Sequence, residues 1–255
     1  MNRIIRFVIL DILKNKIVLA YAVFLAFLAW TVFALEDNST KGMLTLLQVI
    51  LFTVPLVSIV FATIYIYNSV EFIELLLSQP IQRKRIWISL FSGLNLSLCL
   101  AFLIGAGIPI IIYTSFDIGL MMLIAGMFIT LIFVSLAFLS AIQSRDKAKG
   151  IGISIIMWLY FALLFDSLVL FLLFQLSDYP IEKLMVFISI FNPIDLSRIL
   201  LLLKLDISAM MGYTGAIFKD FFGTWLGSLA SIIVLFLWVL VPFLISLSKF
   251  NRKDL

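Results

Sequence analysis

The chain has 255 residues, of which 64% are hydrophobic and 13% are charged, and its formal net charge is +4. Soluble domains average about 45–50% apolar and about 25% charged residues, so this composition excludes an ordinary soluble enzyme and a disordered protein. The single cysteine, Cys99, excludes a disulfide-stapled module, and the absence of histidine excludes His-based zinc sites and Ser-His-Asp catalysis. The composition therefore indicates an integral membrane protein.

Six apolar runs are long enough to cross a bilayer, which takes roughly 20 residues of α-helix. They cover residues 17–35, 44–67, 86–113, 120–142, 151–176 and 225–247. The third run contains Gly93, Gly105, Gly107 and Pro109, a composition that allows close helix approach and a kink. The sequence thus predicts an all-α membrane protein with an even number of spans, whose two ends lie on the same side of the membrane.

Lysine and arginine are distributed unequally between the two sides that these spans define. The chain ends and the loops after the second and fourth spans hold 13 of the 18 basic residues, whereas the other three loops hold five. Because cytoplasmic loops are enriched in basic residues, we expect both chain ends to be cytoplasmic. The net positive charge then comes from cytoplasmic loops that lie beside the membrane lipid. We therefore expect no nucleic-acid partner.

An N-terminal helix is predicted outside the spans. Residues 3–16 alternate cations with Ile, Phe, Val and Leu, and four polar side chains, Arg3, Arg6, Asp11 and Lys14, fall within about half of a helix circumference. This pattern is typical of an interfacial helix on the cytoplasmic leaflet. A plain positive flank of the first span is the alternative.

The loop after the second span combines an acidic, leucine-rich stretch with a basic triplet. Glu71 and Glu74 share one helical face at a spacing of three residues, and a run of three leucines begins at Leu75. Pro80 ends this helix because the residue before a proline avoids the α conformation, and the basic triplet begins at Arg83. Such a short amphipathic helix suits docking into a partner's groove, while a solvated loop is the alternative.

A helical hairpin is predicted in the long outer loop, residues 177–224, whose apolar stretches are too short to span. Asn192 is a candidate N-cap, Pro193 occupies the first helical position, and Asp195 lies in the first turn, near the positive end of the helix dipole. Arg198 lies at an edge of the same helix. The hairpin either receives an extracytoplasmic partner or only covers the bundle.

Asp166 is the ionisable residue that lies deep within a predicted span, roughly 22 Å along the helix from residue 151 at about 1.5 Å per residue. A carboxylate at that depth is costly unless it is paired or protonated, so it is a functional candidate. We expect Ser167 or a polar group of another helix to satisfy it. Since no intramembrane cation or second acid accompanies it, a structural or gating role is favoured over an ion-coupled carrier.

Motifs of nucleotide-hydrolysing and metal-binding proteins are absent from the sequence. It contains no G-x-x-x-x-G-K-[ST] phosphate loop, no H-E-x-x-H, no cysteine cluster and no G-x-S-x-G. The methionine pairs at 121–122 and 210–211 are expected to pack in apolar surroundings rather than to bind Cu(I). We therefore expect no catalytic residue, cofactor or metal site, and any ATP hydrolysis on a separate subunit.

Residues 74–83, Glu-Leu-Leu-Leu-Ser-Gln-Pro-Ile-Gln-Arg, resemble the stretch after the second span in bacterial ABC type-2 permeases. In that family an acidic, Leu-rich helix ending in Pro-x-x-Arg docks into an ATPase subunit. The resemblance implies a single permease domain over residues 1–255, with six spans and a coupling helix between the second and third. The ATPase contacts that it implies are Glu71, Glu74, Leu75, Gln79, Pro80 and Arg83.

Two further blocks resemble the permeases of transporters that serve nitrous oxide reductase maturation. They are Leu-Phe-Asp-Ser-Leu-Val-Leu at 164–170 and Phe-Asn-Pro-Ile-Asp-Leu-Ser-Arg at 191–198. This resemblance implies a homodimer in the cell inner membrane, a cytoplasmic ATPase dimer and a periplasmic, copper-handling β-helical partner. The partner contacts that it implies are Asn192, Pro193, Asp195 and Arg198. A generic ABC type-2 exporter of lipid, peptide or drug is the alternative.

Overall fold

The computed structural model describes residues 2–36, 38–176, 182–204, 218–219 and 221–252. These residues form helices and no strand. The helices are α1 (Asn2–Leu13), α2 (Lys16–Leu35), α3 (Ser39–Asn68), α4 (Val70–Leu77), α5 (Arg83–Phe102), α6 (Ile108–Tyr113), α7 (Phe116–Gln143), α8 (Lys147–Leu159), α9 (Phe165–Gln175), α10 (Glu182–Ser189), α11 (Pro193–Lys204) and α12 (Trp225–Arg252). Two π-helical segments, Leu103–Gly107 and Tyr160–Leu164, join α5 to α6 and α8 to α9.

Six helical stretches among the described residues are long and apolar enough to cross a membrane, which confirms the predicted number. They are span 1 (Lys16–Leu35), span 2 (Thr40–Asn68), span 3 (Arg83–Tyr113), span 4 (Phe116–Gln143), span 5 (Lys147–Leu172) and span 6 (Trp225–Arg252). In span 3 the π segment precedes Pro109, whose missing N–H leaves the Gly105 carbonyl without its helical donor. A π turn accommodates such an interruption of the hydrogen-bond ladder.

Short polar side chains determine where several helices begin. Asn15, Asn38 and Asp146 each precede a helix, and each accepts a hydrogen bond at 2.9 Å from the backbone N–H two residues later. These N-caps satisfy N–H groups that have no partner within the helix. The turns between spans are therefore specified locally.

Spans 2 and 4 form the centre of the bundle, and spans 1, 5 and 6 lie at its periphery. Aromatic packing joins span 3 to span 6, because the Trp87 ring stacks on the Phe250 ring at a centroid distance of 4.2 Å. The Trp87 indole N–H donates to Ser246 Oγ at 3.0 Å, and that hydroxyl donates to the Phe138 carbonyl of span 4 at 3.1 Å. One polar chain thus links three spans inside the apolar core.

The bundle has two distinct ends. Helix α4, the turn at 143–147 and the last turn of α12 lie together at one end, which we call the α4 end. Helix α11 packs at the other, the α11 end, where the Trp238 indole of span 6 donates to the Ile190 carbonyl at 3.1 Å. The predicted pair of short helices is present as α10 and α11. Residues 177–181, 205–217 and 220 of the predicted outer loop lie outside the described residues.

Helix α1 forms at the predicted N-terminal amphipathic stretch. Val8 and Ile12 are fully buried, and Val8 lies directly over Gly93 of α5, where a Cβ atom would come within 2.5 Å of Val8 Cγ1. The Tyr65 hydroxyl of span 2 donates to Asp11 Oδ2 at 3.0 Å. Helix α1 is therefore attached to spans 2 and 3, while its location at a membrane interface stays a prediction.

Candidate functional site

Helix α4 has two faces of different chemistry. Ile73 and Leu76 are buried, and the Phe72 ring stacks on the Phe7 ring of α1 at a centroid distance of 5.1 Å. The helix ends before Pro80, as predicted. The buried side therefore anchors α4 to the bundle and fixes which side chains point away from it.

Five of the six predicted ATPase-contact residues lie on the opposite surface, which we call the α4 face. They are Glu71, Glu74, Leu75, Gln79 and Pro80, and all five are exposed. Leu75 is 66% exposed, whereas Arg83 is half-buried at the start of α5. The α4 face thus combines carboxylates with an accessible apolar side chain, the chemistry expected of a docking helix. The contact with a partner itself stays a prediction.

The end of span 2, directly before α4, is bonded to the turn between spans 4 and 5. The Tyr67 hydroxyl donates to the Ser144 carbonyl at 3.0 Å and lies 3.3 Å from the Ala141 carbonyl. Lys147 Nζ donates to Asn68 Oδ1 at 2.7 Å. Carbonyls at a helix C-terminus have no partner within the helix, so Tyr67 caps span 4. Sequence reasoning missed Tyr67, because its partners lie more than seventy residues further along the chain.

A cavity of about 310 Å³ lies beside these contacts between span 2 and the turn that follows span 4. Its walls are mainly apolar and include Tyr67, Trp87 and Phe250, while Glu74 and Arg145 contribute the charged groups. Glu74 of the α4 face therefore borders the turn after span 4. This places α4, span 2 and the turn between spans 4 and 5 around a single space.

At the α11 end, Arg198 joins two carboxylates. Arg198 Nη1 lies 2.9 Å from Asp166 Oδ2 of span 5 and 2.9 Å from Asp195 Oδ1 of α11. The prediction that Asp166 has no cation or second acid beside it is therefore wrong, because folding packs α11 against span 5. Ser167, the expected alternative partner, instead donates to the Leu163 carbonyl of its own helix.

The charge cluster formed by Asp166, Asp195 and Arg198 holds two carboxylates for one guanidinium. Burial raises the pKa of the Asp195 carboxyl to about 7; Arg198 opposes this rise and the Asp166 charge adds to it. An arginine keeps its proton throughout the physiological range, so its fixed positive charge holds the two carboxylate-bearing helices together. That Asp166 has a structural or gating role rather than an ion-coupled one stays a prediction.

Asn192 connects α11 to the π segment of span 5. Its Oδ1 accepts a hydrogen bond from the Ile194 N–H at 3.0 Å, which confirms the predicted N-cap. Its Nδ2 donates to the Phe161 carbonyl at 2.9 Å. Asn192 and Pro193 are buried, so a direct contact of these two with an outside partner stays a prediction that their burial does not favour. Asp195 and Arg198 are half-buried and keep accessible surface.

A second cavity, of about 520 Å³, lies beside the charge cluster. Asp166 and Arg198 line it together with Gln48 and Thr53 of span 2. The remaining walls are mainly apolar and include Leu28, Phe52, Leu163 and Ile194. Apolar walls with a few polar groups are the usual chemistry of a ligand pocket.

Comparison with known proteins gives a consistent assignment. Residues 40–255 match the family described as "ABC-2 family transporter protein". Two similar proteins are each named "Probable ABC transporter permease protein NosY": one from Pseudomonas aeruginosa, 27% identical over 173 residues, and one from Stutzerimonas stutzeri, 28% identical over 217 residues. The first alignment covers 63% of both chains, less than two thirds of that relative's length; the second covers 79% of this chain and 76% of the relative. Because the family match extends over most of its length, this chain belongs to the ABC-2 family and is the permease subunit of an ABC transporter.

Proposed function

We propose that this permease couples ATP hydrolysis on a separate cytoplasmic ATPase to movement at its α11 end, in copper-site maturation of nitrous oxide reductase. It acts as a homodimer with two ATPase subunits in the cell inner membrane, and its α4 end faces the cytoplasm. The observation that carries the proposal is the α4 face, where two glutamates and an exposed leucine project from a helix that is buried on its other side.

The α4 face has the side chains that a docking surface needs. Glu71 and Glu74 would pair with basic residues of the ATPase, which fixes orientation, while Leu75 would enter an apolar pocket and supply binding energy. The helix is anchored through Ile73 and Leu76. A displacement of α4 by the ATPase is therefore transferred to the bundle rather than absorbed by a loose loop.

The distribution of basic residues supports a cytoplasmic α4 end. Exposed cations at this end include Lys84, Arg85, Arg145, Lys147, Lys149, Lys249 and Arg252. Since basic residues favour the cytoplasmic side, the α11 end then faces the periplasm. A copper-handling β-helical protein would bind there, where Asp195 and Arg198 keep accessible surface.

The copper-maturation role is supported by the two relatives named NosY and by the position of the residues that carry the resemblance. The blocks at 164–170 and 191–198 meet in the structure, because they contain the three members of the charge cluster. The cavity of about 520 Å³ beside this cluster favours a second candidate function. That candidate is export of an amphipathic solute by a generic ABC-2 exporter.

Charge reversal at Glu74 tests the docking role. Glu74→Lys changes an exposed side chain, so the permease should fold normally but bind its ATPase about tenfold more weakly, measured by co-purification and ATP turnover. Asp117→Lys is the matched control, because it makes the same reversal of charge at an exposed position at the other end of the bundle. Full ATPase binding and activity with Glu74→Lys would contradict the proposal.

Complementation tests the copper role. A denitrifying bacterium that lacks its own maturation permease should regain copper-loaded nitrous oxide reductase when this chain and its ATPase are expressed together. The copper content and absorbance of the purified reductase measure the outcome, and the Glu74→Lys variant should fail to restore either. Export of an amphipathic dye with no copper loading would contradict the copper role and favour the generic exporter.

A further inference from the structure

Buried hydroxyl groups join span 5 to its neighbours near the α4 end. The Ser154 hydroxyl lies 2.7 Å from Thr63 Oγ1 of span 2 and 2.7 Å from Ser140 Oγ of span 4. Such hydrogen bonds between helices hold neighbouring spans together in apolar surroundings. One turn earlier, Gly150 allows the Tyr67 ring to lie against span 5, because a Cβ atom there would overlap the Tyr67 hydroxyl.

Tyr67 connects these contacts of span 5 to α4. It lies three residues before α4, and its hydroxyl donates to the Ser144 carbonyl in the turn that leads into span 5. The neighbouring Asn68 accepts a hydrogen bond from Lys147 in the first turn of span 5. A displacement of α4 therefore moves the beginning of span 5 unless these bonds break.

At the α11 end, two side chains attach span 5 to α11. Asn192 donates to the Phe161 carbonyl inside the π segment, and Arg198 donates to Asp166 just beyond it, each at 2.9 Å. A π segment interrupts the regular ladder of a helix and often marks a functional site. Helix α11 is therefore attached to span 5 where that span is least regular.

Span 5 is also the least enclosed of the six spans among the described residues. Of the residues in its most apolar stretch, only 17% are buried within the protomer, compared with 61% for span 2 and 67% for span 4. A shift of span 5 therefore requires little repacking of the core, whose close-packed centre resists deformation. Between its two ends, span 5 is held to span 2 by Trp158, whose indole N–H donates to the Phe52 carbonyl at 3.2 Å.

We propose that span 5 transmits the displacement of α4 to α11, with Tyr67 and Asn192 as the positioning residues at its two ends. This inference rests on the proposed function, since ATPase docking on the α4 face supplies the displacement. Coupling between distant sites requires an element with two arrangements that both sites bias. Both ends of span 5 are bonded to groups on which partners would act, so partners at either end of the bundle can bias its position.

The test uses the permease–ATPase complex in nanodiscs, with Cys99→Ser and one reporter cysteine at Phe187, an exposed residue of α10. An environment-sensitive fluorophore on this cysteine is compared with and without ATP and vanadate. Tyr67→Phe and Asn192→Asp each remove one hydrogen-bond donor and should reduce the fluorescence response about threefold to tenfold while ATPase binding is unchanged. Tyr113→Phe is the matched control, since it removes the hydroxyl of an exposed tyrosine on α6.

The double variant separates transmission from local stability. If both residues act in series along span 5, Tyr67→Phe combined with Asn192→Asp loses no more response than either change alone, whereas independent effects multiply. Multiplied losses, or single variants that respond like the wild type, would overturn the inference. A wild-type complex with no nucleotide response would overturn the proposed function instead. If Tyr67→Phe does not assemble, Asn68→Ala removes the adjacent bond to Lys147 and takes its place.

Discussion

Arg198 shows how one side chain can define the joint between two helices. Its Nη1 donates to Asp166 and to Asp195 at 2.9 Å, so the guanidinium balances two carboxylates that would otherwise repel each other. Removing one member of a shielded ion pair costs more than the pair contributes, because the remaining charges lose their partner without regaining water. The stability of the cluster therefore depends on Arg198 more than on either carboxylate.

Arg198→Gln should lower the melting temperature of the detergent-purified protein. The expected cost is about 1–3 kcal/mol, less than for a fully buried pair, because the three side chains are 15–35% exposed. Lowering the pH to about 5 should recover part of the loss, since protonation removes the repulsion between the carboxylates. Arg145→Gln, at an exposed position of the α4 end, should leave the melting temperature unchanged. Equal stability of wild type and Arg198→Gln near neutral pH would contradict this prediction.

The raised pKa of Asp195 predicts that its contribution to stability falls as the pH rises. The folded-state pKa, about 7, exceeds the ordinary value of 3.8, so the folded protein retains a proton that the unfolded chain releases between these two values. The contribution is complete below about pH 4 and is lost as the pH rises through about 7. The melting temperature of the wild type minus that of Asp195→Asn, measured across this range, should therefore fall with rising pH. A wild-type melting temperature that rises with pH relative to that of Asp195→Asn would contradict the prediction.

At the scale of elements, the eight-residue helix α4 has one side that anchors it to the bundle and another side that is accessible to a partner. Leu75 and Leu76 are adjacent, yet Leu75 is 66% exposed and Leu76 is 8% exposed. Successive residues of a helix point about 100° apart, so neighbouring leucines can serve different purposes. This contrast supplies a matched pair of substitutions within a single element.

Leu75→Ala should affect ATPase binding, whereas Leu76→Ala should affect the stability of the fold. Leu75→Ala should change the free energy of unfolding by less than about 0.5 kcal/mol and weaken ATPase binding, because its side chain is accessible to a partner. Leu76→Ala should destabilise the protein by about 2–4 kcal/mol, because it leaves a cavity beneath α4. Thermal unfolding and ATPase co-purification measure the two effects. Similar outcomes for both variants would argue against separate anchoring and docking sides.

At the scale of the whole molecule, the six spans place α4 and α11 at opposite ends of one bundle. The two ends differ in charge pattern, because 13 of the 18 lysine and arginine residues belong to the segments on the side of α4. Because basic residues resist translocation across the membrane, this asymmetry predicts that the α4 end is cytoplasmic. In the proposed orientation, the α4 end meets the ATPase.

Labelling of single cysteines tests this orientation. In a Cys99→Ser background, Phe187→Cys should react with a membrane-impermeant maleimide in intact spheroplasts, since the proposed orientation puts α10 on the periplasmic side. Gln79→Cys, next to α4, should react only after the membrane is permeabilised. Both positions are exposed in the structure, so accessibility within the protein does not limit labelling. The reverse pattern would contradict the proposed docking of an ATPase at α4.

Sequence reasoning located the elements better than the contacts between them. The end of α4 before Pro80 and the N-cap at Asn192 were predictable, because each depends on a few neighbouring residues. The pairing of Asp166 with Arg198 and the capping of span 4 by Tyr67 were not, since their partners lie far apart in the chain. The π segment of span 5 was also missed, because its residues read as continuous apolar helix.

The six membrane spans, the expected sidedness and the amphipathic α4 could be predicted from the sequence alone. Each depends on the length, charge or periodicity of a short stretch of chain. The tertiary structure decided how the spans are rotated and which polar groups meet. A span that is apolar on all sides has no polar face that would show which side points into the bundle. Packing and a few buried hydrogen bonds therefore determine its rotation about its own axis. Those bonds brought Asp166 to Arg198 and Tyr67 to Ser144, and thereby attached span 5 to both ends of the bundle.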